Sequence, residues 1–271
     1  MMQWYRRSSG RCDSKGVCIK QKHNYARAHT KNKLKITLPG AMTIVDTIAD
    51  RYYGDKVKMA MAIADLLNEE ARGLEADGVD VIQFDELAFN VFLDEVSTWG
   101  IEALERSITG LKCATVVHIC YGYGIKVNID WKNSLGEEWR QYEAIFPVIA
   151  KSSVKQVSLE CFHSNVPPHL MSLLKGKDIL VGVIDVASDQ TETAEQVGTT
   201  IGEALKYVPK QHLFPCTNCG ITPRSPANAS NPPFAGCVVP PAAPCRGGLG
   251  PLPPGDALPG RRTPIGSTGG R

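Results

Sequence analysis

The chain has 271 residues, room for one large domain or two small ones, and at 43% hydrophobic it can bury a core over most of its length. A formal net charge of +2 argues against a protein dedicated to nucleic acid, and no apolar run reaches the roughly 18 residues that a membrane span needs. Nine cysteines are an odd number, and the N-terminus lacks the apolar region of a secretory signal, so thiol or metal chemistry in a reducing cytoplasm is expected rather than a disulfide framework.

Residues 1–32 form a basic leader without periodicity. Arg6, Arg7, Arg11, Lys15, Lys20, Lys22, Arg27 and Lys31 stand against Asp13 alone, and disorder is expected there. Cys12 and Cys18 are spaced too widely for a finger knuckle with His23 and His29. Leu34–Leu38 predicts a short strand ended by Pro39-Gly40. From Asp55 to Leu74, Val57, Ala60, Met61, Ala64, Leu67, Ala71 and Leu74 recur at three- and four-residue steps, which predicts a helix. Val79–Phe84 is an apolar strand running into Asp85-Glu86, and Trp99–Leu111 fits another helix. A strand through His118 and Cys120 follows. A helix over Leu135–Phe146, stopped by Pro147, is expected next. Val157–Cys161 reads as a strand, Pro167–Leu174 as a short helix opened by proline, and Ile179–Val186 as a strand covered on both faces. Thr191–Tyr207 predicts a helix and Leu213–Cys219 a last strand.

This alternation, about six βα units, predicts an α/β fold with a parallel sheet. Residues 221–271 differ in kind. They hold twelve of the 18 prolines with nine glycines and no period, so a disordered tail is expected; Cys237 and Cys245 there match no metal spacing.

Polar residues fall at the strand ends, where open sheets and (β/α)8 barrels both keep their chemistry. Side chains two apart on a strand point the same way, so His118 and Cys120 project together. Imidazole with thiolate suits zinc. If the strands share one rim, Glu160 and Cys219 can join them around one ion. Cys216-Thr-Asn-Cys219 also reads as a knuckle or redox pair, and Asp85-Glu86 either as a substrate clamp or as a charged pair at a strand end. Cys113 and Cys161 read as small apolar fillers, and His163, His169 and His212 as solvated. Tyr121-Gly-Tyr-Gly124 lacks the Gly-Lys-Ser/Thr of a phosphate loop and reads as a turn.

The stretches KITLPGAMTIVDTIADRYYGDKVKMA, GVDVIQFDELAFNVFLDEV, HICYGYGIK, WRQYEAIFP, SLEC, GVIDVAS and TNCG, from about Lys35 to Gly220, closely resemble the C-terminal catalytic barrel of cobalamin-independent methionine synthases. The resemblance implies a TIM-type (β/α)8 barrel, here incomplete over residues 33–220, that transfers a methyl group to the thiol of homocysteine. It implies zinc held by His118, Cys120, Glu160 and Cys219, and homocysteine bound by Asp85, with Glu86 beside it. Family barrels begin with two further βα units, and a last helix follows TNCG; nothing here resembles either, so a truncated or frame-shifted reading of the gene is expected. A folate-stacking tryptophan of the long-form enzymes matches Thr47, and their proton-donating histidine matches Ala187. The methyl donor is therefore open between a methyl-folate and a corrinoid protein. The rival expectations are a catalytically inactive, zinc-binding fragment of the same family and a metal-free decarboxylase-type barrel.

Overall fold

In the computed structural model, residues 26–121, 126–186 and 190–220 are described. Six strands form one parallel sheet in sequence order: β1 (Lys35–Pro39), β2 (Val81–Asp85), β3 (Ala114–Ile119), β4 (Gln156–Leu159), β5 (Asp178–Ile184) and β6 (Leu213–Thr217). Among the described residues β1 and β6 are not paired with each other, so the sheet is the parallel one that the alternation predicts, unclosed as the incomplete barrel that the resemblance implies. Helices α1 (Ala41–Thr47), α2 (Lys56–Ala76), α3 (Ile101–Ile108), α4 (Lys126–Ser134), α5 (Tyr142–Lys151) and α6 (Ala194–Leu205) fill the crossovers. No described helix is long and apolar enough to cross a membrane.

The register sorts the side chains into two faces. Leu38, Phe84, Val117, Val157, Ile179 and Leu213 lie opposite one another in turn across all six strands, and all are buried. They pack against Met59, Ala60, Ala103 and Ile145 of the helices in one core. Alternation then turns the next row, Pro39, Asp85, His118, Ser158, Leu180 and Phe214, to the concave face. Apolar burial against helices therefore fixes which face the polar residues present.

Helix α2 buries Ala60, Ala64, Leu67, Ala71 and Leu74 of its predicted stripe together with Met59 and Ile63, while Val57 is exposed and Met61 half-buried, and Asp55 caps it by accepting from Val57 N and Lys58 N. A capping box of Thr193 and Gln196 starts α6. One expectation is corrected. The segment expected as a single helix over Leu135–Phe146 is non-helical up to Gln141: α4 ends just before it at Ser134, α5 starts only at Tyr142, and Pro147 lies inside α5 rather than stopping it. Ile145, Phe146 and Ile149, all fully buried, hold α5 to the core on both sides of the proline, which outweighs the hydrogen bond that proline cannot donate.

Helix α1 was not foreseen. Its first turn is capped from another strand: Met42 N donates to Glu86 Oε1 at 3.2 Å, and Thr43 N and Oγ1 donate to Glu86 Oε2 at 3.0 and 2.9 Å. Of the basic leader, residues 26–32 are described, and there Arg27 binds Asp80 Oδ2 at 3.0 Å and the Gly78 carbonyl at 3.2 Å. The rest of the leader, the Cys12/Cys18/His23 spacing, Gly122–Gly124 of the turn, Ala187 and the tail 221–271 lie outside the described residues.

Candidate metal centre

Because the strands run parallel in sequence order, their carboxyl ends form one rim, and the polar strand ends gather there. His118 is opposite Asp85 on β2 and Ser158 on β4. Its Nδ1 lies 3.0 Å from Ser158 Oγ, which fixes the ring and leaves Nε2 facing away from that partner. His118, Cys120 and Cys219 each offer a ligand atom, and these atoms all lie within 4.8 Å of one another. His118 and Cys120 are buried, and Cys219 is half-buried.

The electrostatics favour a cation. The neighbouring Cys120 thiol, and after it His118, holds the Cys219 thiol well below the usual thiol range, so it is disposed to be a thiolate. Burial raises the Asp85 carboxyl, the His118 ring opposing that shift. Among the described residues, the buried polar atoms without a hydrogen-bond partner include one on each of two predicted ligands, His118 Nε2 and Glu160 Oε2. Buried atoms of this kind are seldom left bare, and a cation supplies what both lack. The donor set, one imidazole, two thiols and one carboxylate, fits zinc.

Glu160 does not share the 4.8 Å spacing of the other three. It is buried one residue beyond β4, and its Oε1 accepts from Phe162 N at 2.6 Å, His163 N at 2.7 Å and Asn218 Nδ2 at 3.3 Å. Asp85 is at the rim beside His118, with Oδ1 accepting from Gln83 Nε2 at 2.9 Å. Glu86 follows Asp85 at the end of β2, but its side chain is fully buried under α1 with both oxygens engaged.

A family model described as the catalytic domain of cobalamin-independent synthase matches residues 12–231. The chain belongs to the cobalamin-independent synthase family. Methionine synthases of Sulfurisphaera tokodaii and Saccharolobus islandicus are each 31% identical to it, over 194 and 198 residues, covering 72% of this chain and 52% and 53% of theirs. The chain thus spans about half the length of the curated relatives it matches. A solved B12-independent methionine synthase from Shewanella sp. W3-18-1, in complex with selenomethionine, is 53% identical, with a TM-score of 0.77 over 81% of this chain and 64% of that one. A methyltransferase from Methanosarcina mazei, 14% identical with a TM-score of 0.54 over 76% of this chain and 59% of its own, shares the fold.

Within this cobalamin-independent synthase domain, the rim holds residues that the sequence reading passed over. Ser158, two before Glu160, orients His118; the period of two that paired His118 with Cys120 would have found it. Asn90 donates to the Cys120 carbonyl at 3.1 Å from the loop after β2. Asn218 bridges Glu160 and Asp185, and no spacing signalled it. His163, read as solvated, has Nε2 at 2.8 Å from Asp185 Oδ1, and His212 has Nδ1 at 2.8 Å from Asp178 Oδ1. Cys113 and Cys161 pack against the core as fillers, and burial lifts both thiols to about 12.

Proposed function

We propose that this chain is a zinc-dependent methyltransferase domain that moves a methyl group onto the thiol of homocysteine to form methionine. The observation that carries the reading is the convergence of the His118, Cys120 and Cys219 ligand atoms within 4.8 Å of one another on the rim. His118, Cys120, Cys219 and Glu160 would hold zinc. When bound, zinc lowers the pKa of a substrate thiol and keeps it nucleophilic near neutral pH. The family membership supports this reading, as does the product-like selenomethionine carried by the Shewanella protein.

The residues divide the work. His118 is held in one orientation by Ser158, so its Nε2 is presented without a rotational cost at the time of binding. Cys219 enters already inclined to the thiolate beside the Cys120 thiol, and Cys120 gives up its proton when a metal binds. Asp85 receives the amino group of homocysteine; an ammonium beside this carboxylate offsets the burial that otherwise opposes its charge. The sulfur lone pair forms the new S–CH3 bond, the donor leaves with the electrons of its broken bond to carbon, and the thiol proton goes to solvent.

The catalytic unit is residues 33–220, in the cytoplasm, with the leader 1–32 and the tail 221–271 outside it. The donor is a methyl-folate or a methylated corrinoid protein. Thr47, the position matched to a folate-stacking tryptophan, is exposed at the end of α1 and offers no aromatic face. The test is zinc content by metal analysis together with methionine formation from homocysteine, run once with methyl-folate and once with methylcobalamin as the corrinoid donor. About one zinc per chain with methionine from one donor is expected. Zinc without methionine from either donor would leave the zinc-binding, non-catalytic reading, and a chain that retains no zinc would sink both.

A further inference from the structure

We propose that Asn218 is the positioning residue of the Glu160 carboxylate: by holding Oε1 to the end of β5, it leaves Oε2 as the oxygen presented to a cation. The inference rests on the reading of His118, Cys120, Glu160 and Cys219 as a zinc centre.

Asn218 is fully buried, and its backbone N, Oδ1 and Nδ2 are all engaged. Its backbone N donates to the Ile184 carbonyl at 2.9 Å, and its Oδ1 accepts from Val186 N at 3.1 Å. That second bond settles which way the carboxamide faces, because the reverse orientation would set an NH2 against the Val186 N–H and an oxygen against two carboxylates. The Nδ2 is consequently turned to Glu160 Oε1 and Asp185 Oδ1, at 3.3 Å from each. A carboxamide nitrogen has two hydrogens, one for each carboxylate. Asp185 is steadied from the other side by His163 Nε2 at 2.8 Å and cannot swing to capture both.

The backbone is shaped for this contact. A Cβ at Gly182 would lie 2.6 Å from Asn218 Cα and 2.8 Å from its Cβ, so only glycine on β5 lets Asn218 settle there. Three alternate residues of that strand and its end therefore receive the residue just beyond β6: Gly182 makes room for its Cα and Cβ, Ile184 accepts from its backbone N and Val186 N donates to its side chain.

The consequence falls on Glu160. Its other two donors, Phe162 N and His163 N, belong to its own loop and would travel with it. Asn218 is the donor among the three that ties the carboxylate to another strand. With three donors on Oε1 and none on the buried Oε2, the carboxylate is satisfied on one side only. The next residue after Asn218 is Cys219, so one short segment sets the position of a thiol ligand and of the carboxylate together.

The experiment uses the full chain, stripped of metal and titrated with Zn2+ against a chelator and with Co2+ by absorption. Asn218→Asp keeps the shape and the bond from Val186 N but replaces the donor with a repelling oxygen; Asn218→Ala removes the group. Each is expected to weaken zinc binding by about 10- to 100-fold, the range for partners that orient a ligand. The absorption of the bound cobalt should shift, and that shift should vanish in a Glu160→Gln background, whereas a residue that acts only by holding the Cys219 segment would shift it in both backgrounds. In a Glu160→Gln background the Asn218→Ala change should cost zinc affinity almost nothing further, since the carboxylate it positions is gone. Zinc affinity within about threefold of the parent and an unshifted cobalt spectrum for both variants would overturn the inference, as would full additivity with Glu160→Gln. A parent chain that binds no zinc would overturn the underlying reading instead.

Discussion

Glu86 and Glu160 occupy matched places, each one residue beyond the carboxyl end of its strand and each buried, yet they are handled in opposite ways. Both oxygens of Glu86 are taken by the first turn of α1. Glu160 has one oxygen taken by three donors and the other left bare. A strand-end carboxylate can thus be spent on the backbone or reserved for a ligand, and the neighbours decide which. Gly40 brings α1 against Glu86, with no room for a Cβ there, whereas Gly182 brings Asn218 against Glu160.

The largest expected effect is on the reserved side. Cys219→Ser removes a thiolate ligand, and zinc affinity should fall by more than about 100-fold, beyond the range for partners that merely orient one. Chelator competition measures it. Zinc content equal to that of the parent would remove Cys219 from the centre and with it the contrast between the two glutamates.

The occupied side responds to pH. Burial, opposed by the α1 donors, pushes the Glu86 carboxyl up from its ordinary 4.5 to about 7. The folded protein therefore holds this proton more tightly than the unfolded chain does, and its contribution is full below about pH 4.5 and is lost as pH rises to about 7. The span corresponds to a loss of about 3 kcal/mol across that window. Glu86→Gln should flatten the dependence. Urea midpoints at the two ends of the window check this; an unchanged slope would mean the carboxylate is already neutralised by other means.

Much of this contrast lies beyond what a sequence can announce. The strands were legible because each is apolar on its covered face, and α2 because a long stripe repeats at helical steps. The boundaries of both moved by only a few residues. Helix α1 was missed for a physical reason: Ala41-Met-Thr-Ile-Val45 is short, rich in β-branched residues and follows Pro39-Gly40, and its cap comes from a residue over forty positions away. The single helix ended by Pro147 failed because proline was read as a stop, while buried neighbours on both sides kept α5 whole. At the rim, His118 and Cys120 could be paired from strand alternation. Cys219 could be offered from its place at the end of the last strand and the family resemblance supported that choice, and the structure places Cys219 in the cluster while Cys216 remains on β6 beside Gly182. Asn218 left no trace, because a buried asparagine bridging two carboxylates has no spacing of its own.

A smaller effect should follow from crowding the occupied carboxylate. In Gly40→Ala the new Cβ would fall 2.0 Å from Glu86 Cδ, so either the side chain or α1 must shift. Overpacking of this kind costs typically about 1–3 kcal/mol, and the urea midpoint should drop accordingly. Zinc affinity should hardly change, because the strain falls on β1, β2 and α1 rather than on the β5–β6 end.

Thr43 gives the finest division of the two carboxylates. Its hydroxyl donates to Glu86 Oε2 at 2.9 Å and accepts from Ala88 N at 3.2 Å, so it links the α1 cap to the turn after β2. Thr43→Val keeps the shape and removes both bonds. The backbone donors of Met42 and Thr43 remain on Glu86, so the loss should be about 1 kcal/mol, the ordinary net worth of a hydrogen bond, measured by urea unfolding. A loss several times larger would mean that the hydroxyl, rather than the backbone turn, keeps Glu86 under α1. Zinc affinity should be unaltered, since the Thr43 hydroxyl bonds Glu86 and Ala88 rather than Glu160, and a coupled loss would show that the two glutamates are not independent devices.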